Sequence, residues 1–307
     1  MNGKPFLVTG AHRTGTTWVG KMLAASGEAA YISEPLNIWH RPGVLRARVG
    51  NWYQYLCPEN EASFLVALQE TLAFKYHLGR EILSLRSRKD FLRMCRDESI
   101  FFKGRLFNQR PLLKDPFAIF SIPWFITCLN CQVVVTVRHP AGFASSLKKL
   151  GWPFDFRHLL DQPLLMDAYL EPYRRQMEAC LAQPEDIIAQ SSLLWLMIYT
   201  TVANFRKQFP EIIITRHEDL AQDPVKGYQN LYRQLGLSFN ASARNSILNS
   251  SSSENPRELK QVHATRLDSR ASLNNWKRRL TLEEIQSIRS LTEEVASQYY
   301  ESLDWGE

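Results

Sequence analysis

With 307 residues the chain can form one large α/β domain or two small ones, and it can bury a substantial core. Apolar residues make up 45% and charged residues 22%, the proportions of an ordinary soluble globular protein. The net charge of +6 suits an anionic ligand, but the basic residues are scattered and not gathered on one helix or tail, which argues against nucleic acid as the partner.

The opening stretch organises the rest. Phe6 to Val8 is a short apolar run that reads as a buried strand, Gly10 and Gly15 bracket a tight turn, and Trp18, Val19, Met22 and Leu23 follow at helical spacing. Strand, glycine loop and helix aim backbone N–H groups and a helix N-terminus at an anion. The Gly10-to-Gly15 spacing is that of a phosphate-binding loop, but Thr16 stands where a triphosphate-binding loop carries Lys. The cation is Arg13, inside the turn. A second strand is expected at Ala30 to Ser33, ending in Glu34-Pro35. Asn37 to Pro58 mixes Trp39, Trp52, Tyr53 and Tyr55 with Arg41, Arg46 and Arg48, and reads either as a substrate-facing loop or as core. Helical patterns follow over Glu61 to Leu78 and Ser87 to Arg96.

Pro111 to Pro116 is a strand ending in Lys114 and Asp115. Phe117 to Val137 is long and apolar enough to raise the question of a membrane span, but Pro123, Asn130 and Gln132 interrupt it. It divides into a helix and the strand Cys131 to Val137, expected to be central in a parallel sheet, so no transmembrane segment is expected. Arg138-His-Pro140 ends that strand and a helix runs from about Ala141 to Lys149. Further helices are expected over Pro163 to Leu181, Ser191 to Gln208 and Asp223 to Leu235, with a strand at Glu211 to Thr215 before Arg216-His217. Ser250 to Pro256 reads as a mobile loop and Thr281 to Tyr300 as a final amphipathic helix. The alternation predicts one α/β domain over 1–307, a mainly parallel sheet with helices on both faces, with 238–280 as a lid region. Arg13, Glu34, Lys114, Asp115, Arg138 and His217 all fall at the carboxyl ends of strands, where such sheets bind ligands. Five cysteines without regular spacing argue for a reducing compartment, hence the cytoplasm, and Cys128 and Cys131 are expected to be two small buried side chains.

Arg138, the hydroxyl of Ser146 and the glycine loop suggest two phosphate sites flanking an adenine-sized gap, without a Lys for a γ-phosphate. Here the chain resembles the sulfotransferases that use 3′-phosphoadenosine 5′-phosphosulfate (PAPS). Arg13-Thr-Gly-Thr-Thr-Trp18 is similar to their 5′-phosphosulfate loop, Arg138 to Ser146 to their 3′-phosphate motif, and Leu113 to Pro116 and Trp276 to Thr281 to further segments in order. The resemblance implies that Arg13, Thr14, Gly15, Thr16 and Thr17 bind the phosphosulfate, that Trp18 stacks on adenine, and that Arg138 and Ser146 hold the 3′-phosphate. Arg266 and Arg270, or Lys277, would complete that site, and His217 stands where an adenine-contacting Tyr is often found.

Pro116 occupies the position of the His base of cytosolic hormone and drug sulfotransferases, whereas Glu34-Pro-Leu36 resembles the Glu-Pro-Leu of the carbohydrate branch. Glu34 is therefore the expected base, with Asp115 in reserve. Arg13 would stabilise the leaving phosphate and Lys114 the sulfuryl oxygens. The expected reaction is metal-independent transfer from PAPS, with adenosine 3′,5′-bisphosphate (PAP) as product, to a hydroxyl of a sugar or glycoconjugate. The alternatives are a small-molecule or nucleotide kinase and a non-catalytic nucleotide- or glycan-binding module. Asn37 to Pro58 and Leu150 to Asp167 are where the acceptor is expected.

Overall fold

The computed structural model describes residues 3–258 and 265–305. Five strands, β1 (Phe6–Gly10), β2 (Ala29–Ser33), β3 (Arg110–Lys114), β4 (Gln132–Val137) and β5 (Ile213–Arg216), form one sheet in the order β2-β3-β1-β4-β5, every neighbouring pair parallel. Register places Gly10 opposite Thr136, so β1 and β4 end almost level, while β3 ends at Lys114, opposite Val8 and two residues short of the end of β1.

Because side chains alternate across a strand, the strands divide their apolar residues between two cores. Leu7, Ile32, Leu113, Val133 and Val135 enter the larger core, with helices Ile122–Leu129, Pro140–Leu150, Ile187–Gln208 and Leu282–Ala296. Phe6, Val8, Leu112 and Val134 enter the smaller one, with helices Thr16–Ala24, Pro224–Leu235 and Ala241–Ser251. The result is the three-layer α/β arrangement read from the sequence. β4 is interior and its valines are buried, but the middle strand is β1.

Several boundaries differ from the sequence reading. The pattern Glu61 to Leu78 is interrupted after Leu65–Leu72, where Phe74 takes φ 55, and a separate helix spans Leu78–Leu83. The helix expected to end at Arg96 runs over Arg88–Leu106, with Ser87 capping its start. Pro163 to Leu181 is broken by a turn at Glu171–Tyr173, because Pro172 has no N–H to continue the ladder. Ser250 is no loop residue but the buried end of a helix. Phe117 to Val137 does divide into a helix and a strand. Helix Ile187–Gln208 is long and apolar enough to cross a membrane by composition, and 61% of its apolar window is buried inside the fold. It fastens the end of β4: Trp195 Nε1 donates to the Arg138 carbonyl at 2.8 Å and the Tyr199 hydroxyl to that of Thr136 at 2.8 Å. Of the expected lid region, 259–264 lies outside the described residues.

Candidate active site

The loop after β1 is held by strained backbone. Gly10 has φ 149 and Gly15 φ 95, and Arg13 between them has φ 68, a left-handed conformation that costs a side-chain-bearing residue about 1–3 kcal/mol. A Cβ on Gly15 would meet His217 Nδ1 at 2.7 Å, so the helix start can approach β5 only through a glycine. The strain projects Arg13 outward, while Thr14 turns inward.

Arg13, Gly15, Thr16, Thr17, Trp18, Arg138 and His217 line one cavity, and Ser250, Thr265, Leu267, Ser269 and Ser272 complete its outer wall. None of these lining residues is acidic. Arg13 Nε donates to Ser146 Oγ at 3.3 Å and Arg138 donates to the Arg13 carbonyl at 3.1 Å. Burial and then Arg138 depress Arg13 to about 10, and burial, with Arg279 adding to it, lowers Arg138 against the pull of Glu218. Two partly desolvated guanidinium groups pressing on each other set a field for an anion. His217 is held neutral, depressed to about 3 by burial and then by Arg138, and its buried Nδ1 has no hydrogen-bond partner among the described residues. Trp18 packs edge-on against His217 and Tyr228 and donates from Nε1 to Ser250 at 2.8 Å. Arg13 and Arg138, expected to hold two separate anions, thus line one cavity, while Ser146, expected beside Arg138, is buried outside that lining and accepts from Arg13.

A second cavity, about 570 Å3, opens on the other side of the same loop. Its lining includes His12, Glu34, Asn37 and the aromatic rings of Trp39, Trp52, Phe117, Trp152 and Phe154. Arg13, Thr16 and Thr17 line both cavities, so the phosphate loop is their common wall. Glu34, at φ 50, presents its carboxylate between Asn37 Nδ2, 2.7 Å from Oε2, and the Lys114 ammonium, which ion-pairs with Oε1. Burial alone would lower Lys114, but Tyr31, Glu34 and Asp115 outweigh it and raise its pKa above the usual lysine value.

Four groups of expected site residues are placed differently. Thr14 donates its hydroxyl to the Ala11 carbonyl at 2.6 Å and meets Thr136 Oγ1 at 2.7 Å, so it builds the turn and does not face the cavity. Lys114 is 1% exposed and lies behind Glu34, outside both linings, where it orients the carboxylate. Asp115 accepts from the N–H groups of Leu36 at 2.5 Å and Phe117 at 2.9 Å, so both oxygens hold backbone. Arg266, Arg270 and Lys277 do not line the cavity of Arg13 and Arg138. Arg266 is exposed, Arg270 donates to the Gln222 carbonyl at 2.7 Å, and Lys277 rests over the Trp276 ring. Their exposed stems leave them to solvent, and the segment turns its smaller residues Thr265, Ser269 and Ser272 inward instead. In the aromatic loop Arg41 pairs with buried Glu81, Arg46 pairs with Glu70, and Tyr53 and Tyr55 are core, leaving Trp39 and Trp52 for the cavity. Cys128, expected to be buried, is exposed, whereas Cys131 is buried. His12 and Asn37 line this cavity without having been singled out individually in the sequence; their signal was adjacency, one residue before Arg13 and three after Glu34.

A family model described as sulfotransferase domain matches residues 4–300. No curated protein sequence matches the chain. Among solved structures, it is similar to the sulfotransferase domain from the curacin biosynthetic pathway, at 16% identity and a TM-score of 0.49, with 98% of this chain and 99% of that one covered. It is also similar to a sulfotransferase from Alicyclobacillus acidocaldarius, at 11% identity and a TM-score of 0.49, with both chains covered completely at 100%. A mouse sulfotransferase complexed with PAP shares 12% identity at a TM-score of 0.45, with 96% of this chain and 85% of that one covered. Matched over almost its whole length, the chain belongs to the sulfotransferase family, enzymes that move a sulfuryl group from PAPS to an acceptor.

Proposed function

We propose that the acid-free cavity binds the nucleotide of PAPS, that the aromatic cavity binds a hydroxyl-bearing acceptor, and that transfer occurs across the loop they share. The observation that carries this reading is the common wall of Arg13, Thr16 and Thr17, with paired guanidinium groups on one side and a carboxylate on the other. The residues fit the nucleotide: Arg13 and Arg138 in a lining without acidic residues suit phosphates, and His217 Nδ1, with no hydrogen-bond partner among the described residues, is left for a base or ribose. When bound, PAPS supplies the sulfuryl group. Glu34 takes the acceptor proton as the new sulfur–oxygen bond forms and the bond to the 5′-phosphate breaks. Arg13 and the N–H groups at the helix start stabilise the charge left on that phosphate. Lys114 holds Glu34 in position. Cations in place of a metal support a metal-independent reaction.

The exposed ring of Trp39, set edge-on to Trp52, supports a sugar or glycoconjugate acceptor stacked on aromatic faces. The predominance of Trp, Phe and Pro over polar groups in that cavity also favours a second reading, an apolar alcohol. An acceptor panel with labelled donor separates the two. The five free thiols support a cytoplasmic setting.

The test is ligand-dependent stability followed by turnover. PAP without magnesium should raise the melting temperature and ATP with magnesium should not. Arg138→Ala should abolish that rise. Glu34→Gln should keep it and lower kcat by about 100-fold or more. A protein stabilised by ATP with magnesium and not by PAP would instead be a kinase, and full transfer by Glu34→Gln would remove the carboxylate from the mechanism.

A further inference from the structure

We propose that His12, the residue before Arg13, is a further catalytic residue: an uncharged donor that hydrogen-bonds the sulfuryl group in transit, set in that role by Tyr53. This rests on the sulfotransferase reading above. The His12 ring lies at the loop end of the acceptor cavity, beside Arg13 and near Glu34. Phe117 and Phe154 lie nearly parallel to it, at 26° and 27°, and Phe143 meets it edge-on, so the ring is boxed into one orientation.

Tyr53 decides which nitrogen carries the proton. Its hydroxyl oxygen is 3.3 Å from the His12 backbone nitrogen and 2.6 Å from His12 Nδ1. A backbone N–H only donates, so the phenol oxygen accepts there. The phenol has one proton to give, and among the described residues its one acceptor is Nδ1. A proton on Nδ1 would leave a buried hydroxyl hydrogen unbonded, at a cost of about 1–3 kcal/mol. Nδ1 therefore accepts, and the imidazole proton resides on Nε2. Tyr53 is a rigid director: it is fully buried, it holds φ 58, and its carbonyl accepts from Gln162 at 3.2 Å.

The same surroundings keep the ring uncharged. Burial first and Arg13 second depress His12 to about 4, against the weaker opposing pull of Glu34. An imidazole already protonated at Nε2 is no base at that atom, so proton removal is left to Glu34. What it offers is a fixed N–H on a ring that lines the same cavity as Arg13, Thr16 and Thr17, the residues across which charge on the sulfuryl oxygens would rearrange during transfer. A neutral donor suits this place better than a third cation, since Arg13 and Arg138 already repel each other.

Nitrogen NMR of the full chain labelled in histidine tests this, with the His12 signals assigned by their loss in His12→Gln. At pH 7 the His12 Nε2 should be protonated and Nδ1 bare, and Tyr53→Phe should mix the tautomers. The Nε2–H resonance should move on adding PAPS and stay on adding PAP, which lacks the sulfuryl group. His12→Phe, which fills the box without a donor, should lower kcat about 100-fold with unchanged stabilisation by PAP, while His12→Gln, with an amide N–H, should recover part of the loss. A proton on Nδ1, equal responses to the two nucleotides, or full kcat in His12→Phe overturns the assignment while the donor reading stands. If neither nucleotide stabilises the protein, the donor reading itself fails and takes this one with it.

Discussion

Ionising Asp115 places a second negative charge near Glu34 in a buried site, and those two causes, burial first, push its pKa up to about 7. The N–H groups of Leu36 and Phe117 and the charge on Lys114 oppose the shift without cancelling it. An unfolded chain titrates this carboxyl near 3.8, so between there and about 7 the folded state binds the extra proton. The sign follows: the stability Asp115 contributes is complete below the unfolded value and is lost as the pH rises through about 7. Urea unfolding of the wild type and Asp115→Asn from pH 5 to pH 8 checks it. The advantage of the wild type should shrink with rising pH, by no more than about 1.4 kcal/mol per pH unit for one proton. An advantage that stays constant from pH 5 to pH 8 would mean that the carboxyl is ionised throughout.

Helix Thr16–Ala24 sits so close to the sheet that a Cβ on Gly20 would lie 2.8 Å from the Tyr31 ring and 3.1 Å from Lys114 Cβ. Gly20→Ala gains about 1 kcal/mol of helix propensity but overpacks an interface with a strand behind it, at a cost of about 1–3 kcal/mol. The second effect should win: the urea midpoint should fall, and kcat should fall with it as Lys114 is pushed from Glu34, while PAP still stabilises the variant. The helix itself was legible in the sequence, as were the strands, because apolar period and glycine punctuation are local properties. What stayed hidden depends on distant partners. Nothing within Asn37 to Pro58 says that Arg41 will be claimed by Glu81, forty residues on, or that the Tyr53 hydroxyl will reach His12. Likewise the inward turn of Thr14 follows from Thr136 on a neighbouring strand, and the loss of Arg266, Arg270 and Lys277 from the site from how their segment folds back on Ala221 and Gln222. Motif spacing therefore pointed to a loop, to Glu34 and to Arg138, which do line cavities, and missed which neighbouring side chains face them.

Across the whole molecule the two cavities differ in room. The aromatic cavity has about 570 Å3, whereas the cavity between Arg13 and Arg138 has about 130 Å3, below the roughly 300–1,000 Å3 of common ligand clefts. The sheet ends and the glycine loop cannot yield, because β1 and β4 are buried on both faces and the loop is pinned by Thr14. The outer wall can. Among the described residues its inner edge is tied by Leu267 N–H to the Ser250 carbonyl at 3.0 Å, Asp268 N–H to that of Pro256 at 3.0 Å, Ser269 Oγ to that of Ala221 at 2.7 Å and Trp18 Nε1 to Ser250, and its outer edge by Arg270 to the Gln222 carbonyl and by the solvent-facing pairs of Glu258 with Lys149 and Arg279. Nucleotide entry should therefore displace this wall while the sheet stays fixed. Hydrogen exchange measured with and without PAP should show the largest change in peptides covering 250–258 and 265–272, and little in β1 or β4. Trp18→Phe, which keeps a ring but loses the bond to Ser250, should speed exchange of the wall in the free protein. Exchange of the wall that is identical with and without PAP, under conditions where PAP raises the melting temperature, would mean the nucleotide binds elsewhere.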